Sequence, residues 1–121
     1  MADARSPLIA AGALNAGLAV AAGAFAAHGL QDRLAKPALA IFETAARYQM
    51  YHALAMILAG LLVVRGASAA GWMFQAGIVV FSGSLYALAL TDVKLLGAIT
   101  PFGGLAFLAG WAWLAWSAWR G

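Results

Sequence analysis

The stretch Phe42-Glu-Thr-Ala-Ala-Arg-Tyr-Gln-Met-Tyr-His-Ala53 decides how the chain reads. It carries the only glutamate, one of the two histidines and two of the three tyrosines. It also opens the run Met50 to Val64, which holds no formal charge. Charge and membrane-grade hydrophobicity thus share one helical segment. An ionisable side chain at the edge of a membrane span, or within it, needs a partner or water. The unusual chemistry of the chain is therefore expected here.

Composition agrees. Hydrophobic residues make up 65% of the 121 and charged residues 9%, against about 45–50% and about 25% in soluble domains. The chain reads as one integral membrane unit. Without cysteine there is no disulfide and no thiolate metal site. The net charge of +3 comes from scattered basic residues, so nucleic-acid binding has no support.

Working outward, Leu8–Leu30 is free of formal charge and interrupted only by Asn15 and His28. It is long enough to cross a hydrocarbon core of about 30 Å. Arg5, the apolar run and Ala24-Phe25-Ala26 also fit a secretory signal, but the run exceeds the usual 7–15 or so residues. A retained span is the better reading. Ala19, Gly23 and Ala27 recur at i, i+4, as do Gly12 and Ala16; such rows let helices approach closely in lipid. They read as packing within the chain rather than a dimer face, and Asn15 as a packing hydrogen bond. After the polar loop Gln31–Lys36, Pro37 suits a first helical turn. A second helix over 38–64 would be about 40 Å long, so its part up to Arg47 lies at or beyond the interface. Residues 65–70 form a tight connection, 71–90 a third span and 91–100 a connection with Asp92 and Lys94. The fourth span runs over 101–119, with Thr100 as N-cap and Pro101 at its first position. Trp72, Trp111, Trp113, Trp116 and Trp119 read as a headgroup-level belt.

The expected fold is all-α: a single membrane-embedded four-helix bundle over residues 1–121, both termini on one side. Arg5, Arg65 and Arg120 stand on that side; Arg33, Lys36, Arg47 and Lys94 stand on the other. That near-balance assigns no orientation.

Four motifs in order, Gly23-Ala-Phe-Ala-Ala-His-Gly-Leu30, the Phe42–Ala53 stretch, Phe81-Ser-Gly-Ser-Leu-Tyr86 and Ile99-Thr-Pro-Phe-Gly-Gly104, resemble one family. It is the small bacterial inner-membrane YgdD-like family, related to eukaryotic transmembrane protein 256. The resemblance covers nearly the whole chain. Ala26 and Ala27 stand where that family commonly has a glycine. The resemblance implies a four-helix protein of the bacterial inner membrane and no particular activity.

Topology brings His28, Glu43, Arg47, Tyr48, Tyr51, His52, Ser82 and Tyr86 toward the end of the bundle away from the termini. Glu43 and Arg47, at i, i+4 with the acid first, suit a structural ion pair; a proton or anion site is the alternative. His28 and His52, at similar depth on adjacent helices, raise bis-His haem or a metal. Neither has a second ligand at i, i+3 or i, i+4, so packing histidines are expected. No phosphate loop, nucleophile elbow or carboxylate pair is present, and Ser82 and Ser84 read as interhelical hydrogen bonds. The expectation is a non-enzymatic accessory or assembly protein acting through its helix faces, without cofactor or metal. Its partners would be membrane lipids, another membrane protein or a second copy of the chain. The alternative is a binder or carrier of a lipid or small apolar molecule at a polar pocket near the non-terminal face. A membrane enzyme or redox subunit stands third.

Overall fold

The computed structural model describes residues 5–121; Asp3 in the polar start lies outside them. Among the described residues there are four helices and no strand. The first helix, Arg5–Phe25, continues through a π-helical turn, Ala26–Leu30. The second is Lys36–Leu61. The third runs Ala67–Gly77, passes through a π segment, Ile78–Ser82, and ends as Gly83–Thr91. The fourth is Leu96–Arg120. Each helix packs against its chain neighbours in an antiparallel up-and-down bundle, so the ends of the first and fourth helices share one side.

Local chemistry sets the joints. Leu30 O accepts from the N–H groups of both Arg33 and Leu34 at 3.0 Å, turning the chain. Pro37 then lies in the first turn of the second helix, where no N–H is needed. That helix ends at Leu61 rather than at 64. Leu62 is already extended, at φ −73 and ψ 142, and two β-branched valines follow it. Gly66, at φ +97, starts the third helix. A side chain there would be strained and would meet Ser117 Oγ at 2.5 Å. Asp92, at φ 59, closes the third helix with its N–H on Leu88 O at 2.8 Å; aspartate tolerates this left-handed region.

The fourth helix departs most from expectation. It begins at Leu96, and Pro101 lies inside it. Thr100 therefore does not cap a helix. Its hydroxyl donates to Leu96 O at 3.2 Å and meets Ser84 Oγ at 2.6 Å. Pro101 lies beyond the first turn and removes the N–H that would bond to Gly97 O; membrane helices tolerate such a proline where neighbouring helices and Ser or Thr side chains compensate.

Three helices, Ser6–Leu30, Ala67–Thr91 and Leu96–Arg120, are long and apolar enough to cross a membrane. The second helix is of similar length, 26 residues, but carries Glu43, Arg47, Gln49 and His52. It is the most enclosed: Ala45, Ala53, Met56 and Ala59 are fully buried. The outside of the bundle is apolar, with Leu14, Leu18, Val79, Phe102, Leu105 and Leu108 all exposed. An apolar exterior around a more polar interior is the arrangement a lipid solvent demands.

Two apolar clusters form the core. One, toward the terminal side, gathers Leu8, Met56, Phe74, Ile78 and Phe107. The other, toward the opposite side, gathers Ala26, Leu30, Phe42 and Ala89. The third and fourth helices close on each other through a ladder of phenylalanines against glycines. Phe74 packs on Gly110, Phe107 on Gly77, and the backbone of Phe81 on Gly103. Lipid offers no hydrophobic drive between helices, so close van der Waals fit of this kind must supply it.

Candidate functional site

Between the two apolar clusters lies a polar layer. Tyr86 Oη donates to Gln49 Oε1 at 2.7 Å, and Gln49 Nε2 donates to Asn15 Oδ1 at 3.1 Å. Asn15 Nδ2 in turn donates to Gln75 Oε1 and to the Ala11 carbonyl, both at 2.9 Å. Three helices are thereby tied by side-chain hydrogen bonds. Asn15 stands ten residues into the first helix, about 15 Å, near the middle of a core about 30 Å thick. Asn15 is 8% exposed and Gln49 6%, so these amides depend on partners inside the protein.

His52 forms a second nest. The indole N–H of Trp111 donates to its Nε2 at 3.0 Å. Since an indole only donates, Nε2 is an acceptor, and the proton sits on Nδ1, which donates to Tyr48 O at 2.9 Å. The ring is neutral and both nitrogens are occupied. It lies flat on Phe107, with centroids 3.6 Å apart and planes 9° apart, while Tyr48 covers Phe81 at 5.0 Å. Trp111 thus does more than mark the interface: it locks the histidine. A haem or metal would have to break this bond to reach His52.

The hydroxyls are spent in the same way. Ser82, at the end of the π segment, donates to Ala45 O at 2.8 Å and so bonds the third helix to the second. Ser84 and Thr100 meet hydroxyl to hydroxyl at 2.6 Å, and each also has a backbone carbonyl within reach, Phe81 O for Ser84 and Leu96 O for Thr100. Ser117 Oγ, beneath Gly66, is the one buried side-chain polar atom among the described residues without a hydrogen bond.

The other residues singled out from the sequence lie apart from these nests. Tyr51 is 52% exposed and touches Tyr48 edge-on at 5.5 Å. His28 is exposed on the π turn that ends the first helix. Gly12, sixteen residues before it, is what faces Ala53, so His28 stands about 24 Å along the axis from the level of His52. The two histidines do not share a depth, and no bis-His site exists. Glu43 and Arg47 are exposed and do not pair; among the described residues the only ion pair is Lys94 with Asp92. They line instead a groove of about 450 Å³ between the first and second helices. Arg47→Ala and Glu43→Gln should therefore each leave the unfolding free energy in detergent within about 0.5 kcal/mol of the parent, as surface changes do. A large fall for either would restore the ion pair.

Among the described residues no three His, Cys, Asp or Glu gather as metal ligands. A profile described as a protein family of unknown function, DUF423, matches residues 22–104. The chain belongs to the DUF423 family. It is 51% identical over 108 residues to the UPF0382 membrane protein SAB0533 of Staphylococcus aureus, covering 85% of this chain and 87% of that one. It is 53% identical over 105 residues to a UPF0382 membrane protein of Staphylococcus epidermidis, covering 83% and 84%. With UPF0382 membrane protein YwdK of Bacillus subtilis it shares 47% over 105 residues, covering 83% and 85%. No solved structure matches. The DUF423 chain is thus a bacterial-type membrane protein in its relatives as in its apolar helices.

Sequence reasoning passed over Gln49, Gln75 and Trp111 in this DUF423 chain. The signal for the amides was available: an amide inside a membrane-grade apolar run must find a hydrogen-bond partner, and Asn15, Gln49 and Gln75 stand one to each of the first three helices. Nothing in the sequence pointed from Trp111 to His52, because a tryptophan near a helix end already has an interfacial explanation.

Proposed function

We propose that this DUF423 protein is a non-enzymatic accessory or assembly protein of the membrane that works through its helix faces. One observation carries the reading. The polar groups buried inside the bundle, Asn15, Gln49, His52, Ser82, Ser84 and Thr100, are engaged with other side chains or with backbone carbonyls, Ser117 alone excepted. A catalytic group would have to be left poised, and none of those six is. The surface left for work is the exterior, where Leu105 and Leu108 on the fourth helix stand 61% and 66% exposed. A photoreactive residue at position 105, activated in intact cells, should yield a discrete adduct with a second membrane protein. Labelling of lipid alone would overturn the proposal. The YgdD-like proteins and transmembrane protein 256 would share this role, on the strength of the four motifs.

A second reading, a protein that binds or carries a lipid, is favoured by the groove between the first and second helices. Its wall carries Glu43 and Arg47.

A further inference from the structure

We propose that this groove binds a phospholipid whose headgroup carries a primary ammonium beside its phosphate, with Arg47 on the phosphate and Glu43 on the ammonium. The proposal deepens the lipid-binding reading and rests on it.

One wall is made of small residues of the first helix, Ala19, Gly23 and Ala27 among them; the other carries Glu43, Arg47 and Met50. A Cβ on Gly23 would find nothing within 4 Å, so the space beside it is not taken up by the bundle. Glu43 and Arg47 are exposed toward this space and lack an ion-pair partner among the described residues. Charges at this level of a membrane need partners, and the described residues supply no ion pair for them.

The order of the groups along the groove selects the occupant. Counting from Lys36, Glu43 lies about 10 Å down the second helix, Arg47 about 16 Å and Met50 about 21 Å. From the membrane surface inward the groove therefore presents an acid, a base and then apolar wall. A phosphoethanolamine-type lipid presents ammonium, phosphate and then acyl chain in that order. The guanidinium offers paired donors to phosphate oxygens. The carboxylate only accepts, and a primary ammonium brings three donors where a quaternary one brings none. A second copy of this chain fits less well. In a dimer with its twofold along the membrane normal, Glu43 stands level with Glu43 and Arg47 with Arg47. Opposite charges would then be offset by about 6 Å in depth.

The test is native mass spectrometry of delipidated full-length protein in detergent. It would be offered phosphatidylethanolamine, phosphatidylcholine and phosphatidylglycerol at equal concentration. The single-lipid adduct should favour phosphatidylethanolamine by about tenfold, the scale of one charge-assisted hydrogen bond. Glu43→Gln should erase its advantage over phosphatidylcholine while keeping the adduct. Gly23→Leu, which fills open space and leaves the bundle folded, should lose all three adducts. Equal adducts of the three lipids in the parent would overturn the headgroup assignment and leave the lipid-binding reading standing. No adduct of any lipid would overturn both. A dimer that forms without lipid and is lost in Gly23→Leu would overturn the proposal in favour of a self-interface.

Discussion

Gly103→Ala is expected to cost about 3 kcal/mol of stability in detergent, the upper end of the usual range for overpacking. The reason is the identity of what the new methyl would strike. At Gly77 the neighbour is the ring of Phe107, which has rotamers to try; at Gly103 it is the backbone nitrogen and Cα of Phe81. Backbone cannot step aside without moving the π segment Ile78–Ser82, and with it the Ser82 bond to Ala45. Gly104 is the control. A Cβ there would find only Phe81 Cδ2, at 3.9 Å. Gly104→Ala should leave the melting temperature unchanged or raise it, since alanine is the better helix former by about 1 kcal/mol. Thermal unfolding followed by circular dichroism compares the two neighbours directly. Equal melting of the Gly103 and Gly104 variants would remove the ladder from the account of stability.

Gln49→Leu should cost a similar amount, about 3 kcal/mol. It strands two partners at once, the buried Asn15 side-chain carbonyl and the half-buried Tyr86 hydroxyl, and an orphaned buried group costs about 1–3 kcal/mol. Tyr86→Phe alone should cost less, because Gln49 keeps its bond to Asn15. The two changes should be coupled by about 1 kcal/mol, within the range measured for hydrogen bonds between membrane helices. A double-mutant cycle on unfolding free energies measures it. Additive effects would mean that the two side chains, 2.7 Å apart, do not act together.

The gross fold was legible because a membrane leaves few choices. Runs as apolar as 8–30 and 71–90 have to be helices, and four of them bring the termini together. Helix ends were less legible. Pro101 looks like a helix start, yet the helix opens at Leu96; Leu95, Leu96 and Ile99 give no stop signal, and an early proline is compatible with the interior. The π segments carry no sequence mark at all. For the candidate site, counting residues along each span fixes depth but not position around the bundle. Glu43, Arg47 and His52 share one helix, yet the first two turn to the groove with the first helix and His52 turns to Trp111. The Phe–Gly ladder was legible in principle. Phe74, Gly77 and Phe81 are spaced as the mirror image of Gly103, Phe107 and Gly110, and antiparallel packing pairs them.

The enclosure of the second helix has a consequence for how the protein is made. As the chain leaves the ribosome, the first helix can pass from the translocon into lipid by its own apolarity. The second, with Glu43, Arg47, Gln49 and His52, is a poor substrate for that partition. Asn15 is already in the bilayer when Gln49 arrives, so the second helix has one hydrogen-bond partner from the start. Its remaining ones, Ser82, Tyr86 and Trp111, are synthesised later. Biogenesis therefore has a direction: the second helix enters as half of a hairpin with the first and is committed to the membrane only as the third and fourth close over it.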